Sequence, residues 1–585
     1  MGYFEILGLV GGLALFLFGM DLMGDSLKKL AGGKLESILA KLTSNRFKGF
    51  LLGFIVTAII QSSSATTVML VGFVNSGIMK LSQTVGVSMG ANIGTTVTSW
   101  LLSTSEIDGA GSILQFFKPD SFTPILAAIG FLMTMTAKND KRKNTGSILL
   151  GFAILMFGMD AMSEAVSGLK DNPAFTSMLT AFANPVLGIL VGTIFTAIIQ
   201  SSSASVGVLQ ALSLTCAIPY STAFPVILGQ NIGTTITPII SSVSGNTDSK
   251  RVAITCFYIK MIGVVVVAGG FYILNSFLGF EFLTQNAGAS GIAIVHTFFN
   301  IVSTIILLPF TKAFEKLAVK TIKPNKQERA TDVFDTLDER FLAMPSFAVE
   351  KCRDLVCDMA KISGDAFKKA TGLLDNFDIG VFNEVDSLES LVDKYEDKTS
   401  TYLVKIAANN MSSSDSKVVT ELLHCIGDLE RISDHALNLA ETAKEIYDKK
   451  INFSEKAKED IRVITAAGTE ILGLAIKALT EGDIETAKKV EPLGQVIDSL
   501  NRKVKAGHIE RLRQGDCTME LGFILSDLLT NYERVSDHCS NIAVCFIEIA
   551  NDSFETHEYL SHLKAGEEKE FSRMYEAYKE KYVIQ

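Results

Sequence analysis

Three separated blocks of this chain recur at one constant spacing, and that register constrains the fold more than any other feature. Gly12–Asp21 reads GLALFLFGMD, and Gly151–Asp160 reads GFAILMFGMD, 139 residues further on. Thr57–Ala65 and Thr196–Ala204 both read TAIIQSSSA, again 139 apart. Gly90–Thr96 (GANIGTT) returns as Gly229–Thr235 (GQNIGTT) at the same offset of 139. Unrelated apolar segments would not keep one register through three blocks, so this half of the chain is an internal duplication.

Composition identifies the solvent for that duplication. A chain of 585 residues has room for two or more domains. With 48% hydrophobic residues and a mean hydropathy of +0.31, it is too apolar for an ordinary soluble protein of its size. Residues 1–311 hold 16 Lys and Arg against 13 Asp and Glu, and residues 312–585 hold the remaining 37 and 50. A membrane domain therefore precedes an acidic soluble one, and the acidic balance excludes a nucleic-acid partner. The eight cysteines contain no CxxC pair, so neither a zinc ribbon nor a disulfide framework is indicated. Cys352 and Cys357 read as ordinary helix residues. Gly8–Met20 lacks a basic leader and a small-residue cleavage site, and it recurs later, so it reads as a span rather than a signal peptide.

Apolar runs near 4–23, 84–103, 122–137, 146–163, 223–241, 252–275 and 292–311 have spanning or nearly spanning length. Phe47 to Met79 differs: as one helix its 33 residues would be roughly 50 Å long, and Gln61, Ser62, Ser63, Ser64, Thr66 and Thr67 sit at its middle. A break at QSSS, giving two half-helices and a re-entrant hairpin, is the economical reading, and the same holds for Val186–Ile218. Each repeat then crosses the membrane three times, which inverts the second copy. Lys28, Lys29, Lys34, Lys41, Arg46, Lys48, Lys80, Lys138, Lys141, Arg142, Lys143, Lys250 and Arg251 all fall on one side in this arrangement. Only Lys118 and Lys170 fall on the other, together with the loops around Glu106–Asp120 and Asp171. Positive-inside bias makes the first side cytoplasmic, with the N-terminus outside and the C-terminal domain in the cytoplasm.

Inverted repeats with broken helices and polar residues at mid-depth describe a secondary transporter. The QSSS blocks offer hydroxyls and an amide without net charge. Their oxygens suit a hard cation such as Na⁺, while half-helix N-termini and hydroxyl donors suit an oxyanion. Ser and Thr also glue apolar helices together, but two identical clusters at matched positions favour a site. The candidates are Gln61, Ser62, Ser63, Ser64 and Thr66 with Gln200, Ser201, Ser202, Ser203 and Ser205. Asn92, Thr95 and Thr96, with Asn231, Thr234 and Thr235, lie beside a glycine inside apolar segments, where local unwinding would turn them towards the hairpins. Asp21 and Asp160 read as solvated or hairpin-supporting carboxylates, Lys260 as a snorkelling lysine near its span's cytoplasmic end, and His296 as a buried structural histidine without a visible partner. No Walker or dinucleotide glycine pattern and no nucleophile–base constellation appears in the membrane half, so neither an ATP-driven pump nor an enzyme is expected.

On the paired QSSS and NIGTT blocks, residues 1–311 resemble the type II sodium–phosphate cotransporter family. The resemblance implies Na⁺-coupled movement of inorganic phosphate, with Gln61 to Ser64 and Gln200 to Ser203 supplying phosphate and sodium ligands. Some bacterial relatives of that family move phosphate outward.

A second duplication follows in the charged half. Glu430-Arg-Ile-Ser-Asp434-His435 is matched by Glu533-Arg-Val-Ser-Asp537-His538 at an offset of 103, which Asn438 and Asn541 keep. Asp386 and Asp393 correspond to Glu491 and Asp498 at 105. Glu, Asp and Asn at i, i+4 and i+8 lie along one helix face, so each copy carries an acidic stripe able to hold a divalent or iron-type metal through oxygen ligands. A solvated acidic face, or ion pairs with Arg431 and Arg534, is the simpler alternative. Each unit reads as three long helices, giving two three-helix bundles. Residues 340–550 resemble the PhoU family of phosphate-signalling regulators, which implies acidic metal motifs, signalling partners and cytoplasmic control of flux.

The expected fold is therefore all-α. Transmembrane repeats cover residues 1–145 and 146–311, the second including a final span; a linker covers 312–340, a cytoplasmic PhoU-like domain 341–550, and a charged tail 551–585. The expected function is sodium-coupled phosphate transport across the inner membrane by alternating access. A phosphate exporter of the same fold and a membrane phosphate sensor are the alternatives.

Overall fold

The computed structural model describes residues 3–31, 46–106, 119–167, 177, 181–323, 332–409, 411–515, 517–550 and 569–584. Helices are the only regular secondary structure among them, apart from one isolated bridge between Pro219 and Asn286. The all-α fold follows. Lys34, Lys41, Lys118, Lys170, Asp171 and most of the tail after residue 551 lie outside the described residues. The chain divides into two compact units, Met1–Phe347 and Ala348–Gln585.

In the first unit the duplication is visible helix by helix. The first copy comprises α1 (Tyr3–Ala31), α2 (Arg46–Ile60), α3 (Ser63–Asn75), α4 (Leu81–Gly94), α5 (Thr96–Ser103) and α6 (Pro119–Thr136). The second comprises α7 (Asp140–Val166), α8 (Pro185–Ile199), α9 (Ser202–Thr215), α10 (Tyr220–Gly233), α11 (Ile236–Ser242) and α12 (Thr247–Leu278). Helix ends at Ile60 and Ile199 and starts at Ser63 and Ser202 hold the 139-residue offset seen in the sequence. Two further helices follow, α13 (Ala289–Leu307) and α14 (Thr311–Thr321). Among the described residues six helical stretches are long and apolar enough to cross a membrane: α1, α7, α10 with α11, α12, α13 with α14, and Glu455–Glu481 of the second unit. The apolar helices α2, α3, α6 and α8 are shorter.

Lipid gives apolar side chains no reason to associate, so helices in it pack where small residues let backbones approach. Here those residues are glycines. A Cβ on Gly12 would meet Met162 and the carbonyl of Gly158, and one on Gly19 would meet Leu155 and the carbonyl of Gly151. Because the lower number in α1 meets the higher in α7, these two helices run antiparallel. The contact is also reciprocal, since Gly12 and Gly19 are the duplicates of Gly151 and Gly158. Inside each copy Gly90 lies against Phe50 and Gly229 against Ile189, so α4 presses on α2 as α10 presses on α8.

A strap follows α14. Phe341 is fully buried beside Gly72 of α3, with its ring 5.5 Å from Phe73 and 4.9 Å from Phe347. Asn75, at the end of α3, donates to Asp338 at 2.7 Å, and the Asn246 backbone N–H donates to Asn75 at 2.8 Å. Arg340 pairs with Asp338 at 3.0 Å and donates to the Ser241 carbonyl at 3.1 Å.

In the second unit charged amphipathic helices replace apolar ones. They are α15 (Pro345–Leu373, entering from the first unit), α16 (Ile379–Ala407), α17 (Ser413–Asp448), α18 (Glu455–Glu481), the one-turn α19 (Ile484–Ala487), α20 (Val490–Gln514), α21 (Met519–Ala550) and α22 (Lys569–Lys581). Asp378, Ser412 and Ser454 cap α16, α17 and α18, each accepting from first-turn backbone N–H groups. Gly482 and Gly515 end α18 and α20 in the left-handed conformation. The motif helices α17 and α21 pack on each other, burying Leu429, Ile432 and Ala436 on one and Leu528, Val535 and Ile542 on the other. Tyr532 is enclosed, its hydroxyl 2.6 Å from that of Thr465.

Candidate functional site

Both QSSS motifs fall at helix breaks. Gln61 and Gln200 have φ of 59° and 60°, left-handed values that are uncommon outside glycine and cost of order 1 kcal/mol or more each. Glycine would relieve that cost, so a glutamine here marks a side chain in use. Ser62 then caps α3, accepting from the Ala65 N–H at 3.1 Å, and Ser201 caps α9, accepting from Ala204 at 3.2 Å. The broken strands of each hairpin are pinned by matched hydroxyl pairs: Thr57 donates to Thr66 at 3.0 Å and Thr196 to Ser205 at 2.7 Å.

The two breaks meet. Ser64 donates to the Gln200 carbonyl at 3.2 Å, and Ser203 donates to Thr98 at 3.5 Å. Thr98, on α5, donates in turn to Gln61 Oε1 at 2.8 Å. Residues of both copies therefore line one place, where the N-termini of α3 and α9 present first-turn N–H groups. Ser63, Ser202 and Ser203 are buried there. The site carries donors, acceptors and two positive helix ends, but no ionised side chain.

The second polar block behaves differently from the expected unwinding. Thr95 stays right-handed at φ −62°, and Thr234 does so at φ −59°. Each site joins two helices through right-handed backbone, not through an unwound stretch. The hydroxyls of Thr95, Thr96, Thr234 and Thr235 bond back to carbonyls of the preceding turn, at 3.0, 2.7, 2.6 and 2.8 Å. Asn231 donates to the Ile227 carbonyl at 3.0 Å. Asn92 differs, because its buried Oδ1 has no partner.

Several polar groups here had no individual signal in the sequence. Thr98 and Ser99 are neighbours on α5: the first reaches Gln61, the second bonds His296 Nδ1 at 2.9 Å. His296 thus has a partner, supplied by a helix nearly two hundred residues away in sequence. Gln210 donates to the carbonyls of Ser99 and Ala289, and Gln230 to that of Ser205, each leaving a buried carbonyl oxygen unmatched. Thr57 and Thr196 could have been found, since both belong to the repeated TAIIQSSSA block. Asp21 is exposed and Asp160 half-buried.

In the second unit Asp393 and Asp434 come together with Glu389, a residue the repeat pattern did not single out. One carboxylate oxygen from each lies within 4.8 Å of the others. Burial and then mutual repulsion push the carboxyls of Glu389 and Asp434 above the usual range, and Glu430 follows for the same reasons. Three carboxylates that repel one another fit a hard cation with oxygen ligands. Asp386, Glu430 and Asn438 stand outside that trio. In the other copy, burial and the neighbouring Asp537, Glu533 and Glu491 raise Asp498, but among the described residues no second trio closes. Glu533 pairs with Lys505 at 3.8 Å, Asp537 with Arg534 at 3.7 Å, and Asn541 turns to Asp428 at 3.2 Å. His435 and His538 stack across the α17–α21 contact with ring centroids 5.8 Å apart, bonded to Asn531 and Asp428 at 2.9 and 2.8 Å.

Paired helix breaks lined by hydroxyls inside an apolar helical unit define a membrane transport protein. Comparison with known proteins makes that class specific. The Na⁺/Pi-cotransporter family matches residues 15–164 and 154–285, and the PhoU domain matches 356–443 and 464–545. The chain belongs to the Na⁺/Pi-cotransporter family and carries PhoU sequence in its second unit. YjbB of Escherichia coli (strain K12), named as a candidate inorganic phosphate export protein, is 22% identical over 95% of this chain and 99% of its own length. YqeW of Bacillus subtilis (strain 168), an uncharacterised protein, is 30% identical over 52% of this chain and 93% of its own. Sodium-dependent phosphate transport protein 2A of Rattus norvegicus is 36% identical over 16% of this chain and 15% of its own.

Proposed function

We propose that this chain moves inorganic phosphate across the inner membrane together with Na⁺, and that its PhoU-like half regulates the flux from the cytoplasm. The carrying observation is the meeting of the two QSSS breaks through Ser64 and Gln200, at 3.2 Å. Hydroxyl donors and the N-termini of α3 and α9 suit the phosphate oxygens, and hydroxyl and carbonyl oxygens suit Na⁺. Gln61 to Ser64, Thr66, Gln200 to Ser203 and Ser205 are the proposed ligands, with Asn92, Thr95, Thr96, Asn231, Thr234 and Thr235 lining the approach. An inverted arrangement of the two copies is supported by the antiparallel, reciprocal contact of α1 with α7. Alternating access then rocks the hairpins, α2–α3 and α8–α9, against the other helices. The bias of basic residues to one set of loops supports an N-terminus outside and a second unit in the cytoplasm. There Glu389, Asp393 and Asp434 form the proposed metal site, with Asp386, Glu430 and Asn438 around it and Glu491, Asp498, Glu533, Asp537 and Asn541 as the weaker duplicate. Phosphate-signalling proteins are the expected partners of this half.

Export is the second reading, favoured by the similarity to YjbB along 95% of the chain. Labelled phosphate flux in proteoliposomes, with the Na⁺ gradient imposed in either direction, tests both. Flux that follows Na⁺ and is lost on changing Ser62, Ser63, Ser201 and Ser202 to Ala is the expected result. Folded protein that moves no phosphate in either direction would leave a sensor as the better reading.

A further inference from the structure

Lys260 is a largely buried cation within the apolar unit. It lies thirteen residues into α12, about 20 Å along the helix axis from Thr247, and the residue is only 9% exposed. Among the described residues no ion pair or hydrogen bond engages its ammonium, which retains some open surface although the residue around it is buried. A buried ammonium without a counter-charge is costly, and a chain keeps one only where an anion visits or a proton leaves.

Its surroundings indicate which. One turn before it, Cys256 lies 3.3 Å from Ser88 of α4. One turn beyond it, a Cβ on Gly263 would stand 3.3 Å from Ser303 of α13. Lys260 is thus bracketed between α4 and α13 inside the unit. The Ser88–Cys256 contact sets α4 beside α12 one turn before Lys260, and one turn beyond Ser88 on α4 stands a further polar residue. That residue is Asn92, whose buried Oδ1 lacks a donor. From Asn92 the chain turns through Thr95 into α5, where Thr98 holds Gln61 and Ser99 holds His296. His296, on α13, keeps its Nε2 buried and unpartnered. The unmatched donor and acceptors therefore stand on the elements that lead to the paired breaks, where ionised side chains are absent.

We propose that Lys260 is a fixed cation of the phosphate route, a substrate-binding residue whose ammonium balances part of the oxyanion's charge as phosphate passes between the hairpins and the end of α4. Taking a phosphate with one or two negative charges out of water needs more compensation than two helix ends and neutral hydroxyls provide, and a co-bound Na⁺ supplies it only while it accompanies the anion. A tethered ammonium supplies one full charge without being co-transported. The inference rests on the reading of the chain as a phosphate carrier.

Lys260→Met, Lys260→Gln and Lys260→Arg, each purified full-length and reconstituted, separate the outcomes. The expected result is a rise of about tenfold or more in the KM for phosphate in the Met and Gln variants, with kcat changed far less and the Arg variant near wild type. Phosphate-induced thermal shift in detergent should fall in parallel, which a merely structural lysine would not produce. Should the Met variant fail to fold, the Gln variant is judged by the same KM criterion. A KM within twofold of wild type in a folded neutral variant overturns the inference and leaves the carrier reading standing. Wild-type protein that moves no phosphate overturns both.

Discussion

Gln61 and Gln200 share one left-handed backbone, yet only Gln61 has its side-chain oxygen held, by Thr98 at 2.8 Å. Gln200 is exposed, and Thr237, the duplicate of Thr98, keeps a buried hydroxyl without a partner. The two copies thus hold different states of the same interaction. Thr98→Val should strand the buried Gln61 oxygen and lower stability by about 1–3 kcal/mol, while Thr237→Val should cost nothing or stabilise slightly. Thermal unfolding of the two variants in one detergent checks this, and equal losses would contradict the asymmetry.

The glycine contacts give a second expectation. A Cβ on Gly90 would sit 1.9 Å from the Phe50 carbonyl oxygen, and one on Gly229 would sit 2.0 Å from that of Ile189. Backbone cannot yield by that amount without separating the helices. Gly90→Ala and Gly229→Ala should both abolish folded protein, whereas Gly269→Ala, with open space around it, should be tolerated. Monodisperse yield after solubilisation is the readout.

The acidic trio predicts a cation effect with a definite sign. The carboxyls of Glu389 and Asp434 are raised in the folded state, so that state binds protons more readily than the unfolded chain. Stability from these groups therefore rises as pH falls through their folded values to the ordinary carboxylate range, and their repulsion is fully present at neutral pH. Mn²⁺ or Mg²⁺ at pH 7 should relieve it, adding about 2.7 kcal/mol at a hundredfold excess over Kd. Asp393→Asn with Asp434→Asn should raise the metal-free melting temperature and remove the cation-induced shift. A cation shift surviving in that variant would place the ion elsewhere.

The histidine pair predicts the opposite slope. Burial lowers His435 below its ordinary 6.5, and the adjacent His538 adds to this against the opposing Asn531 hydrogen bond. The unfolded chain then takes up the proton first, so this contribution is complete above about pH 6.5 and is lost as pH falls. Melting temperatures at pH 7.5 and 5.5 should differ less in His435→Gln than in wild type. An unchanged difference would remove His435 from the acid response.

How far the sequence could be read follows from what a repeat encodes. The duplicated blocks located both helix breaks, because an amide and three hydroxyls amid apolar residues leave few other conformations for the backbone. Thr98, Ser99 and Gln210 escaped because their partners come from helix packing across the duplication, where no local spacing hints at them. The burial of Lys260 was not legible either, because it depends on which helices pack around α12. Glu389 was passed over because the matched positions drew attention to Asp386 and Asp393. Its role depends on reaching Asp434 on the next helix, a contact that periodicity along α16 alone does not reveal.

The strap has a practical bearing on where this chain can be cut. Phe341 fills the space beside Gly72, and Asn75 grips Asp338 on one side and Asn246 on the other. The segment after the last span is thereby a keystone of the hairpin it touches, and a saw-line drawn after Thr321 would leave α3 with an open socket. A transport half intended to stand alone needs its chain kept to Phe347. Any tug on that segment is felt first by the helix that begins with Ser63.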